Sequence, residues 1–178
     1  INYHVGVDGV SVLFILLTAL LCLLVVVYGP VRRLAPVPHF LAMAFAVEAT
    51  LMSLFTTLDL MWFLVLSALE LGLIGYLMWR WATSPAKDLA LTRFYQFMGT
   101  SLALLLTGIL MLGWNHADAT GGSWTFDLTE LAGVPVDPVV SSVIFFLLFY
   151  GFAVRTPLFP FHGWLPQVTE HGNVAVAP

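Results

Sequence analysis

Charge is scarce in this sequence. Only 9% of its 178 residues are Asp, Glu, Lys or Arg, whereas a water-soluble domain carries about 25%. A chain so poor in polar surface cannot cover itself in water, which excludes an ordinary soluble globule. Cysteine is nearly absent too. The one thiol, Cys22, lies in an apolar run; it excludes a disulfide framework and reads as a buried structural side chain. The sequence contains no Cys-x-x-Cys-His haem signature, iron–sulfur cysteine pattern, phosphate loop or Rossmann glycine set. No cofactor is therefore expected in this chain, and any redox chemistry belongs on another polypeptide. Glu170 and His171 are adjacent but lack further ligands at useful spacing, so no metal site is expected. The net charge of −4 is spread over separate loops and argues against a nucleic-acid partner. A starting Met and a basic, cleavable leader are missing as well. The chain runs from Ile1 to Pro178, as expected of a piece of a longer protein.

Apolar residues dominate, at 60% of the total. A membrane-spanning helix needs about 20 mostly apolar residues, and five stretches qualify: 10–28, 38–56, 58–81, 89–114 and 137–157. The first should stop at the "GP" of residues 29–30, a helix terminator. Lipid gives backbone groups no partners, so helices or closed barrels alone can span it. A barrel would alternate apolar and polar residues, and these runs are continuous. The expected fold is all-α, a polytopic transmembrane bundle forming a single membrane domain over 1–178. Trp62, Trp79, Trp81, Trp114 and Trp124 lie near segment ends, where interfacial belts would place them. Cations fall on alternate loops: Arg32 and Arg33 near 29–37, then Arg80, Lys87 and Arg93 around 82–93, while the outer loop 115–136 has acids and no cation. By the positive-inside rule the two cationic loops face the cytoplasm. Within the outer loop "SWTFDLTEL" is either an amphipathic surface piece or a solvated connection with one helical turn.

Ionised groups inside a span are costly and call for a partner, water or a task. Glu70 lies near the middle of the third span, and Glu48 about midway along the second. Each is a candidate for proton exchange, or else a carboxyl that bonds a neighbouring helix. Arg155 ends the apolar run "VVSSVIFFLLFYGFAV" and opens "RTPLFPFHGWLPQ". Pro157 and Pro160 each remove a backbone donor. The helix should break there and free carbonyls at membrane depth, which is tolerated only inside protein or beside a wet cavity. Arg155 is then part of an ion relay, or a residue that snorkels to the interface. His162 follows the break directly, and histidine is the side chain type suited to proton exchange. Asp8 and Asp59 stand where helix caps are needed.

"YHVGVDGVSVLFILLTALL", "VEATLMSLFTTLDLMWF" and, most specifically, "FAVRTPLFPFHGWLP" resemble segments of the antiporter-like chain 4 of proton-pumping type I NADH:quinone oxidoreductases. That superfamily also contains Mrp-type cation/proton antiporters and membrane hydrogenase subunits. The resemblance spans nearly the whole chain and about a third of a full subunit. It implies one inverted half of a larger helix bundle, whose broken helix lines a hydrated half-channel for protons. It implies association with other membrane subunits in the lipid bilayer of a bacterial inner membrane or thylakoid. Quinone and NADH or ferredoxin would be reached only through those other subunits. In the family a glutamate pairs with a lysine on the broken helix; the counterparts here would be Glu70 and Arg155, with Glu48 and His162 as further proton-translocation residues. Two departures stand out. Arginine replaces the lysine and effectively cannot release its proton. The family glutamate falls nine residues after the "LD" pair, at Ala68, while Glu70 lies about 200° further around a helix. The ending "QVTEHGNVAVAP" also departs from the common pattern, as in a divergent branch such as the carbon-dioxide-uptake variants, or in a bundle that has lost pumping and anchors another activity.

Overall fold

The computed structural model describes residues 4–172. Its helices are α1 (Gly9–Val31), α2 (Val37–Thr56), α3 (Leu60–Trp81), α4 (Lys87–Ala119), α5 (Leu128–Leu131), α6 (Pro138–Arg155) and α7 (Leu165–His171), with a 3₁₀ turn, Phe161–Trp164, before α7. No strand forms among the described residues, only isolated bridges between Val5 and Thr57 and between Asp59 and Asp127. Five helices, α1 to α4 and α6, are long and apolar enough to cross a membrane. The chain is an integral, multi-pass membrane protein.

Three of these helices start on an aspartate. Asp8 accepts from the Ser11 amide at 2.7 Å, Asp59 from the Trp62 amide at 2.8 Å, and Asp137 from the Val139 amide at 2.9 Å. Each satisfies an amide that the first helical turn leaves orphaned. Two helix ends depart furthest from the expected ones. α1 does not stop at the "GP" but continues through Pro30 to Val31. Pro30 stands in the last turn, where a missing donor costs little, and the Arg32 amide still reaches the Tyr28 carbonyl at 2.9 Å. α4 extends past residue 114 to Ala119. Its 33 residues make a rod of about 50 Å, longer than the roughly 30 Å hydrocarbon layer, so the helix is long enough for its polar last turns to extend beyond that layer. The connection from 120 to 137 then holds one helical turn, α5.

Hydrogen bonds gather the loops into two ends. At one end the Gly6 amide bonds the Thr56 carbonyl, the Leu60 amide the Phe126 carbonyl, and the Leu128 amide the Leu58 carbonyl. Asp8, Asp59, Asp127, Glu130 and Asp137 collect here. At the other end Leu34 packs with Phe40 and Trp81, and Ser84 Oγ meets His171 Nδ1 at 3.0 Å. Arg32, Arg33, Arg80 and Lys87 flank those loops. Trp62, Trp79, Trp114 and Trp124 are exposed, as a belt requires, but Trp81 is only 5% exposed. It belongs to the core because the rings of Phe40, His39 and Tyr76 enclose it.

α4 and α6 form the tightest seam. Ser101 Oγ donates to the Gly151 carbonyl at 2.7 Å. A Cβ placed on Gly151 would stand 2.7 Å from Leu105 Cγ, so glycine is what lets the backbones approach. Small residues with a side-chain hydrogen bond are how helices associate where lipid removes the hydrophobic drive.

Candidate functional site

The structure joins Glu70, on α3, to Arg155, the last residue of α6. Arg155 Nη1 lies 3.5 Å from Glu70 Oε2, and each side chain is 18% exposed. Arg155 Nη2 also donates to the Ser67 carbonyl at 3.4 Å. The guanidinium thus faces inward onto α3 rather than snorkelling outward. Ala68 is exposed, so the carboxyl that meets the arginine is the one at position 70. Ser67 precedes Glu70 by one turn and is completely enclosed. The sequence reading passed over it, although its spacing of three from an intramembrane acid puts it on the same helix face.

Glu70 also borders a cavity of about 250 Å³ between α1, α2 and α3, whose lining includes Glu48, Cys22 and Thr18. The Cys22 thiol faces the Glu48 carboxyl. The cavity wall is otherwise apolar, with Phe40 and Leu77. The two intramembrane acids therefore share one chamber, and the thiol expected to be inert packing forms part of its wall.

Pro157 lies in the turn directly after α6, and Pro160 just before the 3₁₀ turn. Carbonyls of the last turn of α6 are taken up rather than left free, contrary to expectation. The Leu158 amide takes the Ala153 carbonyl at 3.0 Å, and Trp164 Nε1 donates to the Val154 carbonyl at 2.9 Å. The chain beyond the break folds back under α4, where Trp164 packs against Phe94 at 5.9 Å between ring centroids. This re-satisfaction is what membrane depth demands of a broken helix. His162 sits beyond the break, exposed, stacked on Phe159 at 5.8 Å. It makes no hydrogen bond or ion pair with Glu70 or Arg155 among the described residues.

The acidic end has its own clasp. His4 Nδ1 pairs with Asp127 Oδ2, while Asp127 Oδ1 accepts from the Thr129 hydroxyl at 2.5 Å and the Thr129 amide at 2.8 Å. The Thr129 hydroxyl, with its amide and His4 behind it, holds the Asp127 carboxyl below its ordinary value. The Ser11 amide does the same for Asp8. No group of three or more metal-ligating side chains occurs among the described residues.

The family described as NADH:quinone oxidoreductase/Mrp antiporter, transmembrane, matches residues 57–177. NADH-quinone oxidoreductase subunit M of Escherichia coli is 29% identical over 98% of this chain and 35% of its own length. NAD(P)H-quinone oxidoreductase chain 4 of Gloeobacter violaceus is 31% identical over 100% of this chain and 32% of its own. A chain of respiratory complex I from Thermus thermophilus superposes with a TM-score of 0.73 at 29% identity, covering 94% of this chain and 34% of that one. This chain spans about a third of the length of these relatives.

Proposed function

The chain belongs to the NADH:quinone oxidoreductase/Mrp antiporter transmembrane family, and from that premise we propose that it is part of a proton-translocating membrane subunit of an NADH (or ferredoxin):quinone oxidoreductase. The observation that carries the reading is the Glu70–Arg155 pair, 3.5 Å apart beside an interrupted helix. A carboxyl whose counter-charge sits on a hinge-like end can be made a better or worse proton acceptor by small shifts of that end. Arg155 keeps its proton and serves as the fixed charge, so the moving proton belongs to Glu70. Glu48, across the shared cavity, exchanges protons with Glu70 through the chamber. The two carboxyls differ in surroundings: one meets a guanidinium, the other a thiol. Such a difference sets a direction for transfer between them.

His162 has a lesser part in this reading, at the mouth of the pathway beyond the break. The cationic loops face the cytoplasm, and other membrane subunits complete the complex and contact quinone and the electron donor. The relatives' names favour the oxidoreductase over a free-standing Mrp-type antiporter.

The test uses the full-length protein in its parent complex in liposomes. Proton uptake driven by electron transfer to quinone is compared for wild type, Glu70→Gln and Arg155→Lys. Glu70→Gln should abolish uptake, and unchanged uptake would sink the proposal. Uptake driven by a sodium gradient with no electron donor would instead favour the antiporter.

A further inference from the structure

Three stretches of backbone meet edge to edge at the acidic end. The Leu58 amide bonds the His4 carbonyl at 3.2 Å, and the Gly6 amide bonds the Thr56 carbonyl at 2.9 Å. On the other edge of the 56–60 turn the Leu60 amide bonds the Phe126 carbonyl at 2.9 Å, and the Leu128 amide bonds the Leu58 carbonyl at 3.0 Å. The turn is therefore the middle ply, with 4–6 on one side and 126–128 on the other. So short a ladder is marginal by its backbone bonds alone. One side-chain contact joins the two outer plies directly: His4 Nδ1 meets Asp127 Oδ2. This seam forms the rim of a cavity of about 520 Å³, because Gly6, Leu58, Leu60 and Leu128 all line it, together with Phe63 of α3 and Phe152 of α6.

The chemistry of the contact makes it sensitive to protons. A carboxylate only accepts, so Nδ1 is the donor, and Nε2 of the neutral ring carries the lone pair that takes a second proton. The His4 side chain is 48% exposed and that of Asp127 11%, so the medium reaches the histidine while the carboxyl is enclosed. Histidine is the side-chain type whose charge changes within the physiological range. Asp127 stays ionised across that range, because the Thr129 hydroxyl holds its carboxyl below the ordinary value. A hydrogen bond between ionised partners is roughly twice as strong as one between neutral groups. The other titratable groups at this end are Asp8, Asp59, Asp118, Glu130, Asp137 and His116, the last bonded to the Ser123 carbonyl at 2.9 Å. Neither Lys nor Arg occurs in residues 4–8, 56–60 or 120–137, so no fixed cation in these segments competes for Asp127.

We propose that His4 is a proton-operated latch on this cavity. In an acid medium the imidazolium binds Asp127 and draws the outer plies together over the rim. In an alkaline medium the neutral ring holds Asp127 less tightly, the seam loosens and the cavity opens. The one covalent change is an N–H bond formed at Nε2 with a proton from the medium and broken when that proton returns. At still lower pH the Asp127 carboxyl is itself protonated and the latch is lost from its other half. On the function proposed above, this end faces the side that receives the transported protons, so their accumulation tightens the seam. That consequence rests on the translocation reading; the latch does not.

The experiment follows hydrogen exchange of the Gly6 and Leu58 amides in the full-length protein, in its complex in nanodiscs, from about pH 5.5 to about pH 8.5, the span in which histidine side chains change charge. Protection is measured against the intrinsic exchange rate at each pH. In wild type it should fall about threefold as pH rises, the size that a half-exposed ion pair carries, while amides inside α4 keep theirs. His4→Asn retains a neutral donor and should give the lower protection across the span. His4→Lys has a charge that the span does not remove and should give the higher one. Wild-type protection that does not change with pH, or the same change in His4→Asn, overturns the latch. Should neither variant assemble, the wild-type series decides alone. Glu70→Gln should leave the series unchanged while abolishing proton uptake, so failure of the translocation reading and failure of the latch are separate results.

Discussion

Consider a double-mutant cycle on Glu70 and Arg155. At 3.5 Å and an effective dielectric of about 20, two unit charges attract by about 5 kcal/mol. Part of that is consumed by desolvation, since each side chain is only 18% exposed, and the separation exceeds that of a tight charge-assisted hydrogen bond. Removing one partner leaves the other charge buried and uncompensated, which costs about 3–5 kcal/mol. Glu70→Gln and Arg155→Met should therefore each destabilise the protein by about 3 kcal/mol. The double variant should lose far less than their sum, because no orphan charge remains. The assay is the midpoint of detergent-induced unfolding of the full-length protein, read by tryptophan fluorescence. A coupling of about 2–3 kcal/mol is expected from this geometry. Additive single effects, with coupling below about 0.5 kcal/mol, would refute the claim that these two side chains meet inside the membrane.

Three further outcomes follow from the packing and the clasp. Gly151→Val should cost about 1–3 kcal/mol in the same unfolding assay, because the new Cβ meets Leu105 Cγ at 2.7 Å, whereas Gly99→Ala has nothing within 4 Å and should be neutral or slightly stabilising. Trp164→Phe keeps the ring against Phe94 but removes the donor to the Val154 carbonyl; it should lower stability by about 1 kcal/mol and speed amide exchange across 156–164. Asp127 has a folded value depressed below 3.8, chiefly by the Thr129 hydroxyl, so its contribution is present above that ordinary value and is lost as pH falls through the depressed one. Protection of the Leu60 and Leu128 amides, which bond Phe126 and Leu58, measured against the intrinsic exchange rate at each pH, should therefore fall in acid below about pH 4. Asp127→Asn should show the lower protection already at neutral pH.

Local rules determined much of this protein. Long apolar runs specify helices because lipid accepts no unpaired backbone. Asp8, Asp59 and Asp137 cap helices because each precedes orphan amides by two or three residues. Pro157, directly after the C-cap Thr156, keeps α6 from continuing because it lacks a donor. Those facts depend on neighbours in the chain, so they could be read from it. The faces could not. In a membrane the side of a helix toward lipid is as apolar as the side toward protein, so periodicity does not announce which residues meet. Only the tertiary structure decided that Glu70, and not position 68, meets Arg155, and that Glu48 and Glu70 open into one cavity. It also buried Trp81 and Ser67 and supplied Trp164 to the Val154 carbonyl. Each of these joins side chains from different helices or from either side of the break, and distance along the chain carries no signal of distance in space.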